Sequence, residues 1–296
     1  MLKKIEGVIP AIVTPFTGTD ELDHVALRKI VEYLVENGVH GIMTTGGTGE
    51  FVHLSEGEKK KTIKSVVDEV NGRVPVIAGT SACSTREAIM LSKYAEDVGA
   101  DGVIATPPFY FRLPRESIIG HYKSIAESIA IALVAYNNPT YTGNPMDPTL
   151  VAELTGIENM VGLKQSESDL GQFIELVRLT GDRLSLLTGI DSQFYPSLCV
   201  GGKGVFSTAA CIAPKQMVEL YSNFERGNLT KAFEIHRNLQ NLNRFLEYDP
   251  GYVAPCKEAM MMLGLPAGSV RQPLPSLTSR ERGQLKTALI AIGLLK

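Results

Sequence analysis

Eight short apolar runs separated by amphipathic stretches constrain this chain more than any other feature. They are GVIPAIVTPF (7–16), GIMTTGG (41–47), VPVIAGT (74–80), GVIATPP (102–108), IALVAYN (131–137), MVGLKQS (160–166), LSLLTG (184–189) and GVFSTAA (204–210). Each has strand length and is almost continuously hydrophobic, as a strand covered on both faces must be. The segments between them carry helix signals. Asp23 precedes Val25, Leu27, Ile30, Val31, Leu34 and Val35, the spacing of one buried face, and Gly38 lies just past its end. Ser55 with Glu58, and Ser84 with Glu87, have capping-box spacing, and Asp147-Pro148 offers a cap followed by a residue pre-set for a first turn.

Strands alternating with helices imply parallel pairing through right-handed crossovers. An open doubly wound sheet and a closed barrel both satisfy that rule, but eight units in about 225 residues match the count and size of a (β/α)8 TIM barrel. We therefore expect such a barrel over residues 1–225 and a C-terminal helical extension over 226–296. Its helices are expected at 228–246, 253–264 and 279–294, packed on the barrel or on a neighbouring subunit.

Composition narrows the function classes. The 296 residues are 44% hydrophobic, enough for a large core, and 29 basic against 32 acidic residues give a net charge of −3. The longest like-charge run, Lys59 to Lys61, sits beside Glu56 and Glu58, so neither a nucleic-acid partner nor a membrane surface is expected. Glu6, Pro10 and Pro15 interrupt the apolar start, which reads as a strand and not an export signal, and no apolar run approaches the roughly 20 residues of a membrane span. Cys83, Cys199, Cys211 and Cys256 form no paired motif, which suits a cytoplasmic protein and reads as four small buried hydrophobes. The five histidines lack ligand spacing, so no metal is expected.

In a TIM barrel the active site lies at the C-terminal ends of the strands. The polar residues there are Thr14, the Gly46-Gly47-Thr48-Gly49-Glu50 turn, Thr106, Tyr136-Asn137, Lys164, Asp191 and Ser207-Thr208. Lys164 is the most informative, because burial disfavours an ammonium ion and favours the neutral amine that attacks carbonyls. A strand-end lysine paired with a carboxylate, or snorkelling to solvent, is the plainer alternative. Tyr136 ends the neighbouring strand, as a proton carrier for imine chemistry or as packing. The glycine-rich turn suits a small carboxylate; it has neither GxGxxG spacing nor a P-loop lysine. Lys203 precedes the last strand and falls on the opposite, stability face.

Taken together, AIVTPF (11–16), GGTGE (46–50), TPPFY (106–110), YNNPTYTG (136–143), GLKQS (162–166), TGID (188–191) and RQPLPSL (271–277) resemble the N-acetylneuraminate lyase and dihydrodipicolinate synthase family of Schiff-base enzymes over nearly the whole chain. The resemblance implies a homotetramer of barrels in which Lys164 forms an imine with a 2-oxo acid such as pyruvate, with no cofactor beyond that covalent imine. It implies that Tyr136 shuttles protons, that Gly47 and Thr48 hold the 2-oxo acid carboxylate, and that Tyr110 is lent to an adjacent subunit. Asp191 and Ser207 match positions that touch substrate hydroxyls in sugar-acid lyases.

Two positions depart from the lysine-pathway synthases. Tyr141 stands where they carry an arginine for the aldehyde partner's carboxylate, and Gly47 stands where they carry a relay threonine; a phenol cannot replace a bidentate guanidinium. GGTGEF resembles the branch that dehydrates keto-deoxy-glucarate, and YNNPTYTG is more similar to aldolase-type members. The leading expectation is therefore a class I lyase that cleaves a 2-keto-3-deoxy or 4-hydroxy-2-oxo acid to pyruvate and an aldehyde, with Tyr141 among the substrate-binding residues. The alternatives are the dihydrodipicolinate synthase reaction, dehydration or deamination through the same imine, and a barrel that binds a 2-oxo acid without turnover.

Overall fold

The computed structural model describes residues 5–247 and 251–296. Eight strands form one all-parallel sheet: β1 (Gly7–Pro10), β2 (Ile42–Thr44), β3 (Val76–Gly79), β4 (Gly102–Ala105), β5 (Ala132–Asn137), β6 (Met160–Gln165), β7 (Ser185–Thr188) and β8 (Gly204–Ser207). The order runs β1-β8-β7-β6-β5-β4-β3-β2, and a bridge between Ala11 and Met43 brings the two ends together. The result is the expected (β/α)8 barrel, nearly closed, with helices between the strands.

The strands are buried on both sides, so their pleat sorts residues into two cores. Ile9, Met43, Ile77, Ile104, Val134, Leu187 and Phe206 form the barrel interior, and Tyr136 joins them at its upper rim. The alternate residues, such as Val8, Val103, Leu133, Leu163 and Val205, pack outward against the helices.

Helix starts follow the sequence signals in detail. Asp23 accepts from the Ala26 amide, Asp147 from the Leu150 amide, and Ser55 with Glu58 closes a full capping box. Ser84 makes only half of one. Its side chain accepts from the Glu87 amide, while the Glu87 carboxylate is taken by Lys59 at 3.2 Å.

Beyond the barrel lie helices Leu229–Leu246, Val253–Met262 and Ser279–Ala291. The last two stop short of the expected ends because Gly264 and Gly293, at φ 82° and 77°, turn the chain out of the helix. Leu239, Leu242, Met260, Leu285 and Leu289 share one apolar cluster with Leu27, Ile30 and Leu34 of the first barrel helix, so the extension packs on the barrel. One correction concerns the cysteines: Cys211 and Cys256 are buried, but Cys83 and Cys199 are exposed. Cys83 lies in the turn after β3, and Cys199 is the last residue of a short helix, Phe194–Cys199, so both stand outside the packed strand and helix faces. Among the described residues, no helix is long and apolar enough to cross a membrane.

Candidate active site

A step in strand register builds the centre of the site. Leu133 pairs with Met160, but Val134 pairs with Gly162, so β6 carries one extra residue at Val161. Beyond that step Tyr136 faces Lys164, and both point into the barrel interior. Lys164 is buried, with Nζ 4.3 Å from the centroid of the Tyr136 ring, 5.6 Å from that of Phe206 and 3.9 Å from Met43 Sδ. Among the described residues no carboxylate forms an ion pair with it, and its burial keeps the side chain from reaching out to solvent. Gly189, after β7, leaves room for it: a Cβ there would lie 2.7 Å from Lys164 Cε.

Tyr136 is held from the loop that follows it. Asn138 Nδ2 donates to the Tyr136 hydroxyl at 3.0 Å. Asn137 ties the same strand end down, donating to Gln165 Oε1 at 2.9 Å and accepting from the Met146 amide at 3.0 Å.

The turn after β2 is fixed at both ends by left-handed residues, Thr45 and Glu50, at φ 51° and 57°. Thr14 donates to the Gly49 carbonyl at 2.7 Å, and the Thr48 hydroxyl meets that of Thr208 at 3.0 Å. Glu50 is fully buried and joins the turn to the C-terminal region, pairing with Lys257 Nζ at 2.6 Å and accepting from the Arg271 amide at 2.8 Å.

A cavity of about 270 Å³ opens above these strand ends. Gly47, Thr106, Tyr136 and Asn138 line its inner part, while Phe51, Phe109, Tyr141 and Tyr252 form aromatic walls. Tyr141 and Tyr252 lie with ring centroids 6.4 Å apart. Burial pushes the Tyr252 phenol well above the ordinary tyrosine range, and the neighbouring phenols of Tyr136 and Tyr141 push the same way.

Of the residues expected from sequence, Gly47, Tyr136 and Tyr141 line the cavity, Lys164 sits under Tyr136, and Thr48 lies next to Gly47 in the turn. Asp191 and Ser207 are brought to each other. The Ser207 hydroxyl donates to Asp191, whose other oxygen accepts from the Thr208 and Ala209 amides at 3.1 and 2.9 Å. Burial raises the Asp191 pKa, with these hydrogen bonds opposing. Tyr110 lies apart, 87% exposed at φ 84°, edge-on to the exposed Phe111 at 5.0 Å. Sequence reasoning missed Asn138, Tyr252 and the Glu50–Lys257 pair. Asn138 could have been found from its place beside Tyr136, but nothing local marks Tyr252, which comes from the helical extension.

Comparison with known proteins fits this geometry. Residues 4–292 match the model of the dihydrodipicolinate synthetase family. A protein of Methanopyrus kandleri named 4-hydroxy-tetrahydrodipicolinate synthase is 41% identical over 99% of this chain and 98% of its own length. The solved structure of dihydrodipicolinate synthase from Thermotoga maritima is 35% identical, with a TM-score of 0.94 over 99% of this chain and all of the other. YagE, a prophage protein of the same family from E. coli K12 solved with pyruvate, is 30% identical, with a TM-score of 0.94 over 98% of this chain and 99% of its own. With a match that spans almost its whole length, the chain belongs to the dihydrodipicolinate synthetase family of pyruvate-dependent lyases.

Proposed function

We propose that this protein forms an imine between Lys164 and the ketone carbon of pyruvate, then joins pyruvate C3 to an aldehyde. The observation that carries this reading is the buried, unpaired Lys164 amine lying 4.3 Å from the ring of Tyr136 at the mouth of the barrel. The neutral amine attacks the ketone, the oxygen departs as water, and the protonated imine is an electron sink through which C3 becomes a nucleophile. Tyr136 carries protons to and from that oxygen. The amides and hydroxyl of Gly47 and Thr48 receive the 2-oxo acid carboxylate. The covalent imine is the only cofactor required.

The relatives named 4-hydroxy-tetrahydrodipicolinate synthase favour condensation with aspartate semialdehyde over the general aldol cleavage expected from sequence. A second reading is favoured by Tyr141. It is a phenol on an aromatic wall where a synthase places a guanidinium, and this suits cleavage of a 4-hydroxy-2-oxo acid whose aldehyde half bears no carboxylate. In either reading we propose a cytoplasmic homotetramer, in which the exposed Tyr110–Phe111 pair packs on a neighbouring copy and Tyr110 reaches its site.

Borohydride reduction in the presence of pyruvate tests the shared chemistry, because it should add mass to the peptide containing Lys164. No adduct at saturating pyruvate rejects the proposal. Parallel assays of condensation with aspartate semialdehyde and of pyruvate release from 4-hydroxy-2-oxo acids then separate the two readings.

A further inference from the structure

Gly47 lines the cavity beside Tyr136, and the space its side chain would occupy is already filled. A Cβ built on Gly47 would collide with the hydroxyl oxygen of Tyr252, whereas the ring carbon bearing that oxygen would lie 3.6 Å away, an ordinary contact. The hydroxyl of residue 252 and any side chain at residue 47 therefore compete for one place.

The scaffold fixes this juxtaposition from both sides. Tyr252 immediately precedes helix Val253–Met262, and Lys257 on that helix makes the buried 2.6 Å pair with Glu50, which ends the turn that contains Gly47. A tyrosine hydroxyl in such surroundings ordinarily finds a partner. Among the described residues nothing hydrogen-bonds to that of Tyr252, and the residue lines the cavity together with Gly47 and Tyr136.

We infer that Tyr252 is a catalytic proton carrier of this site, donated to the barrel by the helical extension. The inference rests on the imine reading above. As the amine nitrogen joins the ketone carbon, protons leave the nitrogen and the ketone oxygen departs as water; later a C3 proton is lost to give the enamine. A second phenol across from Tyr136 gives one proton to the departing oxygen and regains one from the substrate, so it ends each turnover unchanged.

The test follows exchange of the pyruvate methyl hydrogens in deuterium oxide by NMR, which needs no knowledge of the aldehyde. The wild-type chain should exchange them, and borohydride should label Lys164. Tyr252→Phe should slow exchange at least about tenfold while Lys164 is still labelled on long incubation. Gly47→Ser combined with Tyr252→Phe returns a hydroxyl to the vacated place and should recover exchange to within about tenfold of wild type. Exchange at the wild-type rate in Tyr252→Phe overturns the inference, as does a double variant no faster than the single one. A wild-type chain that neither exchanges nor becomes labelled overturns the imine reading itself, and the role of Tyr252 with it.

Discussion

Tyr136 and Lys164 are direct partners across β5 and β6 only because the register shifts by one residue between Leu133 and Val134. Continued without that step, the ladder would set Tyr136 against Leu163, whose side chain packs outward under the helices. The extra residue turns the lysine into the barrel interior, with its amine 4.3 Å from the tyrosine ring. Removing the Tyr136 hydroxyl leaves that packing intact and takes away the proton carrier proposed above. Tyr136→Phe should reduce kcat about 10²-fold or more with little change in melting temperature. An undiminished kcat would show that the ring serves packing alone.

The lysine also depends on a residue that makes no polar contact with it. A Cβ on Gly189 would stand 2.7 Å from Lys164 Cε and would collide with the Ser166 hydroxyl. Gly189→Ala should therefore displace the amine and depress imine trapping at least about tenfold, since misplacing a reacting group by about 1 Å can cost 10²-fold in rate. Circular dichroism should show an unchanged barrel. Trapping at the wild-type rate would mean that the lysine side chain tolerates the methyl group.

The Glu50–Lys257 pair is the covered joint between barrel mouth and extension. Lys257 Nζ also donates to the Ser269 carbonyl at 2.8 Å and lies 4.4 Å from the centroid of the Phe16 ring. Burial holds its amine below the ordinary lysine range even with Glu50 pulling the other way. Lys257→Met strands a buried carboxylate, at a cost of about 3–5 kcal/mol, and the melting temperature should fall by about 10 °C. Glu50→Gln with Lys257→Met should recover much of that loss. If the single variant melts like the wild type, the pair does not hold the extension to the barrel mouth.

Much of this was legible in the sequence because it depends on local or periodic signals. Continuous apolar runs mark strands covered on both faces, and eight of them mark a barrel. Chemistry-bearing residues at the ends of those runs, Lys164 and Tyr136 above all, then converge by topology. What was not legible depends on distance in space. The register step at Val161 leaves no mark in the run MVGLKQS, and Tyr252 lies 205 positions from Gly47 in a segment whose pattern says only helix. The absence of a side chain at 47 read as the loss of a hydroxyl; the fold supplies one from elsewhere. Ser84 likewise lost its reciprocal bond to a cross-helix competitor, Lys59, which no local rule could include.

Two buried histidines set an acid limit to stability. Burial pushes His121 and His236 down to about 4, with backbone contacts to Thr106 and Ser192 opposing weakly. Their ring contacts, His121 with the Thr85 hydroxyl at 2.9 Å and His236 with Gln240 at 3.2 Å, are available to neutral imidazoles. Both rings remain neutral in the folded chain, whereas unfolded histidines take up protons near pH 6.5. The unfolded state thus binds more protons between about pH 6.5 and 4, so the stabilisation is complete above that window and is lost as pH falls through it. Each ring contributes up to about 3 kcal/mol. The carboxyls of Asp191 and Glu247, pushed up by burial, act with the opposite sign, so the informative quantity is the difference between chains. Urea unfolding of the wild type should show stability falling from pH 7 to pH 4.5, and His121→Gln with His236→Gln should flatten that slope. Equal slopes in the two proteins would mean that neither histidine is held neutral by the fold.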